Sequence, residues 1–315
     1  MAISNFEQLY SLMSPTLDPT PVVAAGAADV TVLGALRDAC DRGWVEPLLA
    51  GSESDIRRLA DEHEISLTGM AIVDTAEPAA AAVARVRAGR ARLLMKGQIS
   101  TPELMRAILH EQFGLRTGRV ICQVVLMEIA RDDRRFLLAD TGITPRPDLE
   151  QKVDILQSAL SVARALGEAT PRVALLAASE KVTARLPDTL EAAELQNRGE
   201  AGEFPGCLVQ GPLSFDLAYA AMAGERKGLA GPVTGAADIM LFPDLTSANL
   251  TVKAIMYTSD CRFGGVLCGT TCPVIFMSRA DDRPTRLRSL ALALRLLSQD
   301  DRHRICGPKQ AASGK

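Results

Sequence analysis

Short aliphatic runs alternate with amphipathic helical segments along most of this chain. Strands that alternate with helices pair mainly in parallel, because each crossover helix then covers a face of the sheet. The sequence therefore predicts an α/β fold with mainly parallel sheets. The predicted strands are residues 21–25, 45–49, 70–73, 92–96, 120–127, 136–140, 173–177, 207–210, 238–243 and 273–277.

The length of 315 residues favours two domains, since single hydrophobic cores rarely grow much beyond 250 residues. The character of the sequence changes at residues 140–147. Asp148 then precedes a long helical pattern at 149–166 and can cap its first turn. We expect the second domain to begin with that helix.

Charge and hydropathy exclude two classes of partner. Lys and Arg total 35 and Asp and Glu total 38, for a net charge of -3, so no basic field is available to hold a nucleic acid. No apolar run approaches the roughly 18–20 residues that span a bilayer. Small-molecule partners are expected, with neither nucleic acid nor membrane.

The cysteine pattern predicts a cytoplasmic protein. Seven Cys are scattered singly without a C-x-x-C pair, which favours reduced thiols over a disulfide framework or a zinc site. Three widely spaced His residues supply no obvious metal site. The N-terminus lacks a basic region followed by an apolar block, so a signal peptide is not expected.

The stretch 272–294 joins a predicted strand to a polar cluster and a helix. The strand 273–277 ends at Ser278 and Arg279, which Asp281 and Asp282 follow closely. Ligands of open α/β sheets gather at the carboxyl ends of strands, where these groups could hold an anion and accept a proton. The alternative for the two Asp is that they cap the next helix. For the Ser-Arg pair the functional interpretation is favoured.

A second strand-to-helix junction follows the strand 92–96. Lys96 and Gly97 form a predicted turn, Thr101 is the expected N-cap, and Arg106 lies one turn into the helix. Main-chain N–H groups at such a junction attract anions. The alternative is a solvated Lys and a surface Arg.

Taken together, these segments resemble the phosphate acetyltransferase and phosphate butyryltransferase family. The sequence motifs LMKG and SRAD resemble the butyryl branch more closely than the acetyl branch. The resemblance covers most of the chain and rests on residues 93–101, 139–143, 148–160, 171–182, 188–195, 210–218, 227–245 and 273–282.

The resemblance implies reversible transfer of a short acyl group between coenzyme A and orthophosphate. It implies no metal and no permanently bound cofactor, and a homodimer or higher oligomer. The implied fold is two α/β/α domains with an interdomain cleft, similar to isocitrate and isopropylmalate dehydrogenases. Residues 1–147 plus 270–315 would form domain I, and residues 148–269 domain II.

The resemblance also implies roles for the residues of the polar cluster. Arg106 and Arg279 would hold phosphate, and Ser278 would stabilise the oxyanion of the tetrahedral intermediate. In the acetyl branch an Asp seven residues after that Ser deprotonates the thiol, but Thr285 stands there in this chain. Asp281 or Asp282 could replace it, or the base lies elsewhere.

Other family positions are expected to contact the substrates coenzyme A and phosphate. These are Lys96, Gly97, Ser100, Thr101 and Asn249. The family motif around Asn249 usually reads Gly-Asn, whereas this chain has Ala248 before Asn249. Helix capping is the alternative for that Asn.

Two further functions remain open at this stage. One is an NAD- and metal-dependent hydroxy-acid dehydrogenase of similar fold, which would need clustered metal-binding Asp and a nucleotide loop. The other is a homologue that binds coenzyme A or an acyl phosphate without turnover, which Thr285 and Ala248 suggest.

Overall fold

The structure, a computed structural model, describes residues 2–13 and 18–303 of the chain, with side chains as far as residue 299. Its contacts divide the chain into two compact units. We call residues 6–119 and 264–315 the terminal unit, and residues 1–5 and 120–263 the central unit.

Helices and strands alternate through both units. The strands are β1 Thr20–Ala25, β2 Val45–Gly51, β3 Ala71–Asp74, β4 Leu93–Lys96, β5 Cys122–Ile129, β6 Arg134–Ala139, β7 Arg172–Leu176, β8 Leu208–Leu213, β9 Ile239–Leu241, β10 Cys261–Cys268 and β11 Val274–Ile275. The helices are α1 Phe6–Ser11, α2 Val30–Asp41, α3 Glu53–Glu62, α4 Pro78–Arg87, α5 Thr101–Leu109, α6 Leu149–Ala165, α7 Pro187–Glu200, α8 Phe215–Tyr219, α9 Ala221–Lys227, α10 Leu245–Thr258 and α11 Arg283–His303.

Strand pairing in the terminal unit follows the order β3-β2-β1-β4-β11, with β10 beyond β11. All of these pairs are parallel except β10 with β11. The residues of β4 are buried throughout, as expected for a strand covered on both faces. The predicted strand 273–277 pairs only at Val274 and Ile275, opposite Leu94 and Met95.

Strand pairing in the central unit follows the order β5-β6-β9-β7-β8. The β5–β6 hairpin is antiparallel and the other pairs are parallel. Phe136, Met240 and Val252 belong to one hydrophobic cluster of this unit. Asp148 caps α6 in a capping box with Gln151, which confirms the helix start predicted from the sequence.

Two local predictions are wrong. The strand predicted at 207–210 is too short, because Gly211 and Pro212 also lie in β8, which pairs with β7, and α8 begins only at Phe215. The cap of α5 is Ser100, whose Oγ accepts from the N–H of Glu103, so Thr101 is the first helical residue. The first difference arises because pairing with β7 extends the strand. The second is a shift of the helix cap by one residue.

The predicted domain boundaries differ from the division by contacts. Residues 120–147, expected in domain I, belong to the central unit, in which β5 pairs with β6 and β6 with β9. The assignment of residues 1–147 plus 270–315 and 148–269 to two domains stays a prediction. In the part of the chain that the structure describes, no helix is long and apolar enough to cross a bilayer.

Candidate active site

Two strand ends bring the polar segments of the terminal unit to one edge of its sheet. β4 and β11 run side by side in parallel, with Val274 opposite Leu94. Lys96 therefore ends one strand close to where Ser278 and Arg279 follow the other. Sequence reasoning expected both segments to bind substrate, and the structure brings them together.

A buried arginine that sequence reasoning missed joins the two strand ends. Arg286 is fully buried. Its Nη1 donates to the main-chain oxygen of Lys96 and its Nη2 to that of Ser278, both at 3.2 Å. One guanidinium thus fixes the positions of both strand ends. The helical spacing of the sequence could have indicated this burial. Arg286 lies four residues before Leu290 and seven before Ala293, so it shares a helix face with these two fully buried residues.

The helix cap of α2 supports Arg286 from the other side. Arg286 Nε donates to Thr31 Oγ1 at 2.7 Å, and that hydroxyl donates to Asp29 Oδ1 at 2.5 Å. Asp29 Oδ1 also accepts from the N–H of Thr31 at 2.8 Å, because Asp29 is the N-cap of α2. The guanidinium is held by a polar chain that ends in a carboxylate.

Lys96 adds a second buried cation. Its side chain is 2% exposed, and its only hydrogen bond to a described residue is a long one, from Nζ to the oxygen of Gly97 at 3.4 Å. Burial lowers the pKa of the Lys96 ammonium, and the positive charges of Arg286 and Arg279 lower it further. The carboxylates of Asp29 and Asp281 act in the opposite sense. An anion placed here would relieve the repulsion among three cations.

Ser278 and Arg279 are exposed at this edge. The Oγ of Ser278 accepts from the N–H of Ala280 at 3.2 Å, which leaves its own hydrogen able to point to a substrate. The exposed guanidinium of Arg279 can present its planar fork to an anion.

The two aspartates that follow differ in environment. Asp281 is 8% exposed, and its Oδ2 accepts from the N–H of Ser278 at 2.6 Å. Burial raises the pKa of the Asp281 carboxyl, although the bond from Ser278 and the charge of Arg286 lower it. Asp282 is exposed, and its Oδ1 accepts from the N–H of Thr285 at 2.8 Å, the capping contact considered from the sequence.

Thr285 is buried on the first turn of α11. Its Oγ1 accepts from Arg288 Nη2 at 2.8 Å. A hydroxyl cannot act as the proton acceptor that a carboxylate would supply at this position.

The loop between β4 and α5 lies tightly against the loop after β1. Gly97 N donates to the oxygen of Ala25 at 2.8 Å, and Gln98 N to that of Gly26 at 2.7 Å. A Cβ on Gly97 would lie 2.1 Å from the Gly26 oxygen, so only glycine fits. Ser100 and Thr101 follow at the exposed N-terminus of α5.

Arg106 is exposed on α5. No hydrogen bond or ion pair among the described residues joins it to Lys96, Ser278 or Arg279. Its expected contact with phosphate stays a prediction.

Asn249 lies on α10 in the central unit, where it contacts a loop held by a buried carboxylate. Its Nδ2 donates to the oxygen of Thr141 at 3.3 Å. Asp140, which directly follows β6, accepts from the N–H groups of Gly142 and Thr144 at 3.0 and 2.8 Å. Burial raises the pKa of the Asp140 carboxyl, and these hydrogen bonds lower it. Here Asn249 fastens the loop, a contact that sequence reasoning did not anticipate.

Cysteine and metal-binding groups add nothing further to this edge. The six described cysteines are free thiols. Within residues 2–13 and 18–299, no group of three His, Cys, Asp or Glu side chains is placed to hold a metal ion.

Together these features define an α/β protein with a cluster of cations at the carboxyl ends of two parallel strands. A comparison with models of protein families identifies which family of α/β proteins this is. The model described as "Phosphate acetyl/butaryl transferase" matches residues 76–294, more than half of the chain. The chain belongs to this phosphate acetyl- and butyryltransferase family.

The names of similar proteins agree with this assignment. The chain is 37% identical over 275 residues to a phosphate butyryltransferase of Clostridium acetobutylicum, covering 86% of this chain and 91% of that protein. It is 39% identical over 278 residues to a phosphate acetyltransferase of Rhizobium meliloti, with coverages of 87% and 88%. Both names denote acyltransferases. Because both branches match about equally, the closer resemblance to the butyryl branch stays a prediction.

A solved structure shares the fold. The branched-chain phosphotransacylase from Enterococcus faecalis V583 superposes with a TM-score of 0.78 at 26% identity, covering 88% of this chain and 99% of that one.

Proposed function

We propose that the protein transfers a short acyl group reversibly between coenzyme A and orthophosphate. Family membership favours this reaction over a hydroxy-acid dehydrogenase. The observation that carries the proposal is the position of exposed Ser278 and Arg279 beside the buried cations Lys96 and Arg286. An oxyanion donor and an anion-binding cluster are what a phosphate attacking a thioester requires.

In the proposed reaction, a phosphate oxygen attacks the thioester carbonyl carbon. Arg279 holds the phosphate, with Arg106 as a second ligand, and the field of Lys96 favours the dianion. Ser278 donates to the oxyanion of the tetrahedral intermediate. The C–S bond then breaks, the acyl phosphate forms, and the thiolate leaves to be protonated as the free thiol of coenzyme A.

Asp281 is the proposed proton carrier for that thiol. Its burial and raised pKa favour a carboxyl that exchanges protons with a leaving thiolate. Asp282 is engaged as the cap of α11, which makes it the weaker candidate. Thr285 is excluded because it has no carboxylate.

Other expected contacts supplement this core. Gly97, Ser100 and Thr101 would offer N–H and hydroxyl donors at the start of α5. Asn249 would act by holding the loop at Thr141. A homodimer or higher oligomer, a cytoplasmic location, the two-domain dehydrogenase-like arrangement and the absence of a permanent cofactor stay predictions.

The test is release of coenzyme A from acetyl-, propionyl- and butyryl-CoA, followed with a thiol reagent, with and without phosphate. A protein-only reaction corrects for the free cysteines. We expect phosphate-dependent release that falls strongly in Ser278→Ala. In Arg279→Ala we expect about a tenfold loss of kcat/KM for phosphate.

Arg283→Ala is the matched control, since Arg283 lies close by in sequence at the start of α11 and pairs with Asp38. Folded protein that releases no coenzyme A from any substrate would refute the proposal. If that protein still bound coenzyme A, the binding homologue would take its place, and Thr285→Asp would be the first variant to test for restored turnover.

A further inference from the structure

A cavity of about 570 Å³ opens at the opposite edge of the terminal unit's sheet. Arg92 and Cys272 line it, and they lie just before β4 and β11 begin. Lys96 is the last residue of β4, and Ser278 follows the other end of β11. Four residue steps of about 3.3 Å separate Arg92 from Lys96, or about 13 Å along β4. The cavity is therefore separate from the proposed acyl-transfer site.

The rim of the cavity carries an excess of positive charge. Arg87, Arg92 and Arg116 line it from three different segments, and Glu111 is the only acidic residue among the described lining. All four are exposed at the mouth. With three guanidinium groups and one carboxylate, the rim has a formal charge of +2, on a chain whose net charge is -3. Guanidinium groups bind carboxylates and phosphates through paired hydrogen bonds.

The floor of the cavity is uncharged. Cys272 and Leu297 are buried there, beside Ala91. Burial raises the pKa of the Cys272 thiol to about 12, so no thiolate offsets the arginines at neutral pH. The positive rim therefore determines which ligand is favoured.

One side of the rim is held in place before any ligand arrives. Arg87 donates through Nη1 to the main-chain oxygen of Gln112, and its guanidinium lies 5.7 Å from the ring centroid of Phe113. These contacts tie the end of α4 to the loop after α5. A rim that is already ordered lowers the entropy cost of binding.

We propose that this cavity binds a small dianion bearing carboxylate or phosphate groups. Its volume falls within the roughly 300–1,000 Å³ of small-molecule sites. Two negative charges match the charge of the rim. The site is independent of the acyl-transfer reaction, so either proposal can fail without the other.

The test is calorimetric titration of the full chain at low ionic strength with succinate and, separately, glycerol 2-phosphate. Arg92→Ala and Arg116→Ala are each expected to weaken binding about tenfold. Arg90→Ala is the matched control, because Arg90 is exposed two residues before Arg92 and does not line the cavity. Binding of one probe alone would identify the preferred anionic group.

Three results would overturn the proposal. The first is that neither probe binds the wild-type chain at millimolar concentration. The second is that Arg92→Ala and Arg116→Ala both bind the probes as tightly as Arg90→Ala does. The third is that binding is lost in Arg279→Ala and kept in Arg116→Ala, which would place the ligand at the other edge of the sheet.

Discussion

Arg286 and Ser278 are joined by a 3.2 Å hydrogen bond from a fully buried guanidinium to the main-chain oxygen that follows β11. The same guanidinium donates to the main-chain oxygen of Lys96 at the end of β4. The spacing between Ser278 and Lys96 therefore depends on one side chain that need not touch substrate. Arg286 is a positioning residue in the proposed site.

Arg286→Met is expected to lower the free energy of unfolding by about 3 kcal/mol or more, because it leaves buried oxygens without donors. Arg283→Met is the control on the same helix. Its guanidinium is half-exposed in the pair with Asp38, so the expected loss is within about 1 kcal/mol. Urea unfolding measures both. Equal losses would show that the buried bonds contribute little.

Lys96→Met is expected to abolish phosphate-dependent activity and to raise the free energy of unfolding at neutral pH. The pKa of Lys96 is lower in the folded protein than its ordinary 10.5. Between those two values the unfolded chain binds more protons, so this side chain's contribution to stability increases with pH. The gain in the free energy of unfolding of Lys96→Met over the wild type should therefore be largest below the pKa of Lys96 in the folded protein. It should shrink as the pH approaches 10.5. Paired urea titrations across this range measure it, and an advantage that grows with pH would contradict the assignment.

Asp281→Asn is expected to lower kcat by about 100-fold or more, the usual contribution of a proton-transfer group. In the wild type, kcat for the reverse reaction, formation of acyl-CoA from acyl phosphate and coenzyme A, should rise with pH through the Asp281 pKa, which lies above its ordinary 3.8, because the carboxylate then accepts the thiol proton. The variant should lack this acidic limb. The loss of kcat in Asp282→Asn should be much smaller, since Asn caps a helix about as well as Asp. An unchanged acidic limb in Asp281→Asn would assign the proton transfer to another group.

Gly97→Ala is expected to cost about 1–3 kcal/mol, because the new Cβ would collide with the Gly26 main chain. The neighbouring substitution Gln98→Ala is the control, since Gln98 is exposed. Thermal unfolding of both variants measures the difference. A melting temperature for Gly97→Ala equal to that of Gln98→Ala would mean that the two loops separate easily.

Local signals in the sequence predicted the start of α6 and the end of β4. Asp148 has its capping partner Gln151 three residues away, so that helix start needs no distant contact. Gly211 is different, because its strand exists through pairing with β7. Sequence periodicity alone cannot report such a pairing.

The candidate site was predicted in part. Lys96 was singled out at the end of one recognisable strand, and Ser278 and Arg279 directly after another. Arg286 was missed because a cation in an amphipathic helix is normally solvated, and only the packing of α11 shows it to be buried. Its hydrogen-bond acceptors lie far away in sequence.

The order of the strands has a consequence for synthesis on the ribosome. β4 lies between β1 and β11, and β11 is the last of the described strands to be translated. One edge of β4 therefore stays unpaired while the whole central unit emerges, and unpaired edges invite mispairing. Arg286 emerges later still, so the nascent chain cannot form the proposed anion site until the start of α11 has been made.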